Sequence, residues 1–148
     1  MPNDDADVIA RLFMEEIPEV AAGLVEIRGI ARKPGYRCKI AVYSHDPKVD
    51  CIGVCVGARG HRIKNIVDKL DAERIDLIRW EVSMENMIRN SLQPAQIDAV
   101  VLHSDQKRAT VVVKSDQLSL ALGRAGINRE LASQLCAWDI EIVAQPSG

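Results

Sequence analysis

CIGVCVGARGHRIKNIVDKL, residues 51–70, decides the fold. Cys51 to Val56 is a short apolar run preceded by Asp50, a residue whose side chain suits a helix N-cap. Gly57 can take the left-handed backbone that stops a helix. After Gly57-Ala58-Arg59-Gly60, the residues Ile63, Ile66, Val67 and Leu70 fall at the i, i+3, i+4, i+7 spacing of an amphipathic helix. The chain does this a second time in DQLSLALGRAGINRELASQL, residues 116–135. There Leu118 to Leu122 lead into Gly123-Arg124-Ala125-Gly126, and a helix starts at Ile127.

Two helices joined by four residues turn sharply, and the second presents its N-terminus at the turn. The first N–H groups of a helix lack intrahelical partners and carry the positive end of its dipole, which suits a phosphate. At the first loop the candidate binding residues are Gly57, Ala58, Arg59 and Gly60, with His61, Arg62 and Lys64 adding donors and charge. Gly60, without a Cβ, lets another backbone come close. At the second loop they are Gly123, Arg124, Ala125 and Gly126, followed by Arg129. Glu130 dilutes the charge there, so this loop is expected to bind more through its backbone. A groove floored by the apolar short helix and a neighbouring strand could take unstacked bases.

Outward from the loops the pattern is the same twice. Val8, Ile9, Leu12, Phe13 and Ile17 share one helix face, with the nearby acids as a solvated face, and Pro18 ends that helix or starts a turn. Leu24 to Arg32 and Arg37 to Tyr43 predict a pair of strands around Lys33-Pro34-Gly35. In the second strand Cys38, Ile40 and Val42 alternate with Lys39, Ala41 and Tyr43, which predicts a half-buried strand. Ile75 to Trp80 predicts a third. In the second half, Ser83 caps a helix bearing Met84, Met87, Ile88 and Leu92, which Pro94 ends. Ile97 to Leu102, Arg108 to Val113 and Ile140 to Val143 predict strands. Asp116 is expected to cap the short helix, and Leu131, Leu135, Ala132 and Cys136 to face the core from the last one. Gln145 to Gly148 is expected to fray. The expectation is an α+β fold of two tandem units of topology helix-strand-strand-helix-GxxG-helix-strand, residues 5–82 and 83–145. Each has a three-stranded sheet packed on helices. With almost no linker, the two are expected to pack as one block, because a unit of about 65 residues is marginal alone.

Composition narrows the function. The 148 residues are 47% hydrophobic and 27% charged, ordinary for a globular protein. No apolar run approaches the roughly 18 residues of a membrane helix. The acidic N-terminus is unlike a signal or transit peptide, which points to the cytoplasm. Cys38, Cys51, Cys55 and Cys136 sit in apolar segments and read as small buried hydrophobes; no metal or cofactor is expected. The net charge of −2 is unlike a general polyanion binder, but its distribution is uneven. Residues 1–19 carry −5 and the remainder therefore +3, with basic clusters at 28–39 and 57–64. Two Trp, two Tyr and one Phe are too few for aromatic stacking platforms as the main reader of bases.

The two units resemble the KH domain in its prokaryotic, type II arrangement, whose GxxG loop clamps single-stranded nucleic acid. VEIRGIARKPGYRCKIAVYSHDPKVDCIGVCVGARGHRI and ERIDLIRW in the first half, with LQPAQIDAVVL and DQLSLALGRAGINRELASQL in the second, resemble the tandem KH region of the NusA family of bacterial transcription factors. The resemblance implies binding of single-stranded RNA, the nascent transcript, across both loops. It also implies a part in elongation, pausing, termination and antitermination, and a set of nucleic-acid-binding residues that includes Asn128, where the family's second loop runs on as Gly-x-Asn. RNA polymerase is the implied protein partner and a monomer the implied state. Members ordinarily carry a polymerase-binding domain and an OB-fold ahead of the KH pair, and neither lies in these residues. The resemblance therefore speaks more for RNA binding than for autonomous pausing.

Other readings are a DNA-binding helix-turn-helix or helix-hairpin-helix, a KH module for ribosome assembly or protein docking, and an enzyme. Strands flanking both loops argue against the first. The histidines His45, His61 and His103 are scattered, and neither a Ser-His-Asp order nor a Walker-type loop is present, so catalysis is not expected.

Overall fold

The computed structural model describes residues 4–145 and divides the chain into two units, 1–80 and 81–148. In the first, α1 (Asp4–Glu16) is a helix with one apolar face, and Ile9, Phe13 and the following Ile17 are fully buried from it. Pro18 opens a second, four-residue helix, α2 (Pro18–Ala21), where its missing N–H costs nothing. The N–H groups of Leu24 and Val25 close back on the Glu19 carbonyl, so the first strand, β1 (Glu26–Lys33), begins later than the apolar run suggests, and Leu24 is exposed. A reversal at 34–36 leads to β2 (Arg37–Tyr43).

β2 pairs antiparallel with β1 and parallel with β3 (Arg74–Arg79), so it is the central strand. Parallel neighbours need a long crossover. Here the crossover is α3 (Cys51–Val56), the first GxxG loop and α4 (His61–Lys69). Asp50 caps α3 as expected, its Oδ1 accepting from Gly53 N at 3.1 Å. Cys38, Ile40 and Val42 meet Cys51, Cys55, Ile66, Leu70 and Leu77 in a core closed by α1.

The second unit repeats the plan. Its elements are α5 (Met84–Ser91), β4 (Ala99–His103), β5 (Arg108–Lys114), α6 (Leu118–Leu122), the second loop, α7 (Ile127–Cys136) and β6 (Asp139–Gln145). The sheet order is β4-β5-β6, with the first pair antiparallel and the second parallel. Ser83 caps α5 through Asn86 N at 3.3 Å, and Met87, Ile88 and Leu92 are buried.

Several expectations need correction. β2 is buried on both faces, not one: Lys39 is 0% and Arg37 6% exposed. Alternation assigns side chains to faces but does not reveal an ionic partner on the next strand. Lys39 lies opposite Asp76 in the parallel register, and Asp76 Oδ2 accepts from Arg37 Nε at 2.8 Å and Lys39 Nζ at 3.0 Å. Burial lowers the Lys39 pKa, only partly offset by Asp76, and leaves it at about 8. The α1–α2 acids are not merely solvated. Glu16 accepts from Asn65 Nδ2 and Glu19 from Arg62 Nη1, each at 2.9 Å, which ties both to α4. Asp116 does not cap α6. A 3₁₀ turn, 115–117, precedes that helix, whose N-cap is Gln117; the Gln117 side chain instead accepts from Gln96 N. On α7 Leu135 is only half-buried, and Asn128 takes a place in the interior. Gln145 belongs to β6 and bonds Asp98; the last three residues lie outside those described.

Candidate nucleic-acid interface

Each loop is a single 3₁₀ turn between two helices. Gly57 has φ 78°, ψ 173° and Gly123 has φ 75°, ψ 173°, a region essentially restricted to glycine. Gly60 and Gly126 are left-handed, at φ 72° and 74°. Arg59 and Ala125 are left-handed too, at φ 57° and 54°, although neither is glycine. The two loops thus share one backbone while exchanging their inner residues: Ala-Arg in the first, Arg-Ala in the second.

A Cβ on Gly60 or Gly126 would meet nothing within 4 Å, so both leave open space outside the loop. Close approach within the fold is at Gly57 and Gly123. A Cβ on Gly57 would lie 2.7 Å from Arg62 Cγ, and one on Gly123 2.7 Å from Asn128 N.

Arg62 and Asn128 are therefore corresponding residues, each five past the first glycine. Arg62 Nη1 donates to Val54 O at 2.9 Å and to Glu19 Oε1. Asn128 Nδ2 faces the carbonyls of Leu120, Ala121 and Leu92 at 3.2, 2.9 and 3.1 Å. Both tie carbonyls of the short helix to an earlier helix of the unit, α2 through Glu19 in the first and the C-terminal end of α5 through Leu92 in the second. Asn128 is fully buried, so it leaves the set of candidate RNA contacts: its role is internal. Arg62 is half-buried and internally bonded, yet it lines the groove.

That groove, about 720 Å³, is bounded by Gly53, Val54, Gly57 and Ala58 with Arg59, His61, Arg62 and Lys64. Ala58, Arg59 and His61 are exposed. Lys64 pairs with Asp68 one turn on at 3.1 Å, a solvated pair that holds it only weakly. Glu19 and Asp50 also line the groove, and nothing in the sequence pattern marks them for it. Asp50 is held below the usual carboxylate range by the Gly53 N–H and then by Arg79.

In the second unit Arg124 and Ala125 are exposed, whereas Arg129 turns inward, Nη1 donating to Ile140 O at 3.1 Å. Arg129 lines a separate groove of about 410 Å³ with Leu122 and residues 139–142 of the edge strand β6. Arg108, Asp139 and Glu141 of this groove are additions to the sequence-based set. The basic cluster at 28–39 is largely neutralised in place: Arg28 pairs with Glu26, Arg32 with Glu73, and Arg37 and Lys39 with Asp76. The four cysteines are buried thiols outside any disulfide, and burial pushes the Cys55 thiol up to about 12. Among the described residues no group of His, Cys, Asp and Glu could hold a metal, and no helix is long and apolar enough to cross a membrane.

A three-stranded sheet whose parallel crossover carries a helix-GxxG-helix turn, present twice, defines a tandem pair of type II KH domains. The family models agree: residues 3–80 match the NusA-like first KH domain and residues 84–147 the NusA-like second KH domain. The chain belongs to the NusA-like KH family. It is 46% identical over 133 residues to the transcription termination/antitermination protein NusA of Thermus thermophilus, covering 90% of this chain and 34% of that protein. To its Bacillus subtilis counterpart it is 40% identical over 138 residues, 93% of this chain and 37% of that one. The chain thus spans about a third of the length of these curated relatives. The crystal structure of APE1850, 17% identical, shares the fold with a TM-score of 0.68 over 97% of this chain and 100% of that one.

Proposed function

We propose that the chain binds single-stranded RNA, each GxxG loop taking the sugar–phosphate backbone and each adjoining groove the unstacked bases. The observation that carries this is the pair of loops with one strained backbone and open space at Gly60 and Gly126. The backbone N–H groups at the start of α4 and α7 supply donors, and Arg59 and Arg124 stand exposed beside them. The two loops act in series on one strand, as an extended clamp, and the unit does no catalysis. The relatives are named for transcription termination and antitermination. By that kinship the RNA is the nascent transcript, the setting is the cytoplasm, and the binding serves elongation, pausing, termination and antitermination. RNA polymerase is then the partner of the larger assembly, with this chain a monomer within it.

The test replaces Ala58 and Arg59 together by Asp. Binding of single-stranded RNA should fall by most of its strength with the circular dichroism and melting midpoint unchanged. Adding Arg124→Asp and Ala125→Asp should weaken what remains. If the four-substitution protein binds as the parent does, the reading is wrong. Binding should weaken only gently with salt, since few phosphates are neutralised and the 28–39 cluster is already paired.

A further inference from the structure

A polyanion-binding groove has no use for a carboxylate unless the carboxylate faces something other than phosphate. The first groove has two. Asp50 is committed, its Oδ1 capping α3 and accepting from Arg79 Nη2 at 3.1 Å. Glu19 is not. Its Oε1 accepts from Arg62 Nη1 at 2.9 Å, while Oε2 has no donor among the described residues. The side chain is 32% exposed and lines the groove with Gly53, Val54 and Gly57. Its backbone is fixed, because the Glu19 carbonyl takes the N–H groups of Leu24 and Val25.

We infer that Glu19 reads the base edge in the first groove and disfavours uracil there. This rests on the RNA-binding reading above. Phosphates are drawn to the side that carries Arg59, His61 and Lys64, and the paired carboxylates on the other side offer them no donor, so the strand lies with its backbone on the GxxG side. A base resting on the Gly53–Val54–Gly57 floor then turns its edge to Glu19 Oε2. A carboxylate oxygen only accepts. Adenine and cytosine offer an exocyclic amine, and guanine an amine beside a ring N–H. Uracil offers one ring N–H set between two carbonyl oxygens, which face the carboxylate with like partial charge. Arg62 holds the carboxylate in place and keeps the pair neutral, so that the strand as a whole is not repelled.

The test uses the full chain with oligoadenylate, oligocytidylate and oligouridylate of equal length, in which no sliding of the strand can avoid the base in question. The adenine and cytosine strands should bind roughly fivefold to tenfold tighter than the uracil strand, the discrimination expected of one good edge contact. Glu19→Gln keeps an acceptor for Arg62 but turns an amide donor toward the base, and should bring the ratio close to one. The ratio is measured within one protein, so partial loss of folded material cancels. If the parent shows no bias against uracil, or Glu19→Gln keeps it in full, the inference is overturned. Ala58→Asp with Arg59→Asp separates the two claims. If that variant still binds oligocytidylate fully, the RNA-binding reading itself fails; if its binding collapses while Glu19→Gln keeps the bias, only the role of Glu19 fails.

Discussion

Arg62 and Asn128 hold the same post in the two units by different chemistry. Each side chain packs on the first glycine of its loop and donates to the carbonyl three residues before that glycine, Val54 in one case and Leu120 in the other. Arg62 does so with a charge balanced by Glu19 at the groove wall, Asn128 as a neutral amide sealed from solvent.

Removing the two braces should have unequal effects. Asn128→Ala strips donors from buried carbonyls and should cost about 1–3 kcal/mol. Arg62→Ala breaks a part-exposed pair and leaves its carbonyl nearer to water, so about 1 kcal/mol or less is expected. Urea denaturation of the two variants checks this; an equal or reversed order would show that the braces are not what the geometry says.

Alanine at the first glycine should be harmful in both loops, because φ near 78° with ψ 173° is strained for any side chain by about 1–3 kcal/mol. The second site should suffer more. The new Cβ at position 57 meets the root of the Arg62 side chain, Cγ at 2.7 Å and Cβ at 2.9 Å, whereas at 123 it meets the backbone N of Asn128 at 2.7 Å, which only a shift of the helix relieves. Melting midpoints of Gly57→Ala and Gly123→Ala give the comparison, with the larger drop expected for Gly123→Ala.

Arg59 and Ala125 pay the left-handed penalty without being glycine. Ala125→Gly should raise stability by about 0.5–1 kcal/mol, the strain relieved less the extra freedom of the unfolded chain. Arg59→Gly should gain a similar amount while weakening RNA binding. Calorimetry beside an RNA titration would reveal this trade; a loss of stability in both variants would contradict it.

Acid should unfold the first unit through Glu73. Burial pushes this carboxyl up, but the Arg32 pair and the Gly35 N–H, both at 2.9 Å, outweigh it and hold it below its ordinary 4.5. Since the folded value lies below the unfolded one, the stabilisation is present above about pH 4.5. It is lost as pH falls through the lowered value. Glu73→Gln should flatten that acid limb and cost about 3 kcal/mol at neutral pH by removing the buried carboxylate that Arg32 pairs with. A melting series from neutral pH downward would show both effects, and an unchanged acid limb would rule them out.

The parts of the fold that were legible in the sequence are those with local causes. Asp50, Gly57 and Gly60 mark α3 and its loop because capping and left-handed backbone are properties of single residues. What escaped depends on partners distant in sequence. Lys39 looked solvent-bound until Asp76, 37 residues on, was placed opposite it. Asn128 looked like a loop contact because Gly-x-Asn spacing does not say which way an amide points. Glu19 entered the groove only through its pairing with Arg62 across 43 residues. Within the candidate site, the exposure of Ala58, Arg59, Arg124 and Ala125 and the short-helix floor follow from the local pattern, whereas the carboxylates on the groove walls do not.

The parallel register of β2 and β3 bears on when this protein becomes competent during synthesis. The β1–β2 hairpin closes over three turn residues and can form as soon as it emerges. The crossover that carries α3, the first loop and α4 is different, because its two ends are brought together only when β3 pairs with β2 and Lys39 meets Asp76. Distant pairings of this kind are slow, since the closure entropy precedes the gain from contacts. A nascent chain shorter than β3 therefore holds the local turn of the first loop without the sheet that fixes α3 and α4, and the last strand of each unit is what completes it.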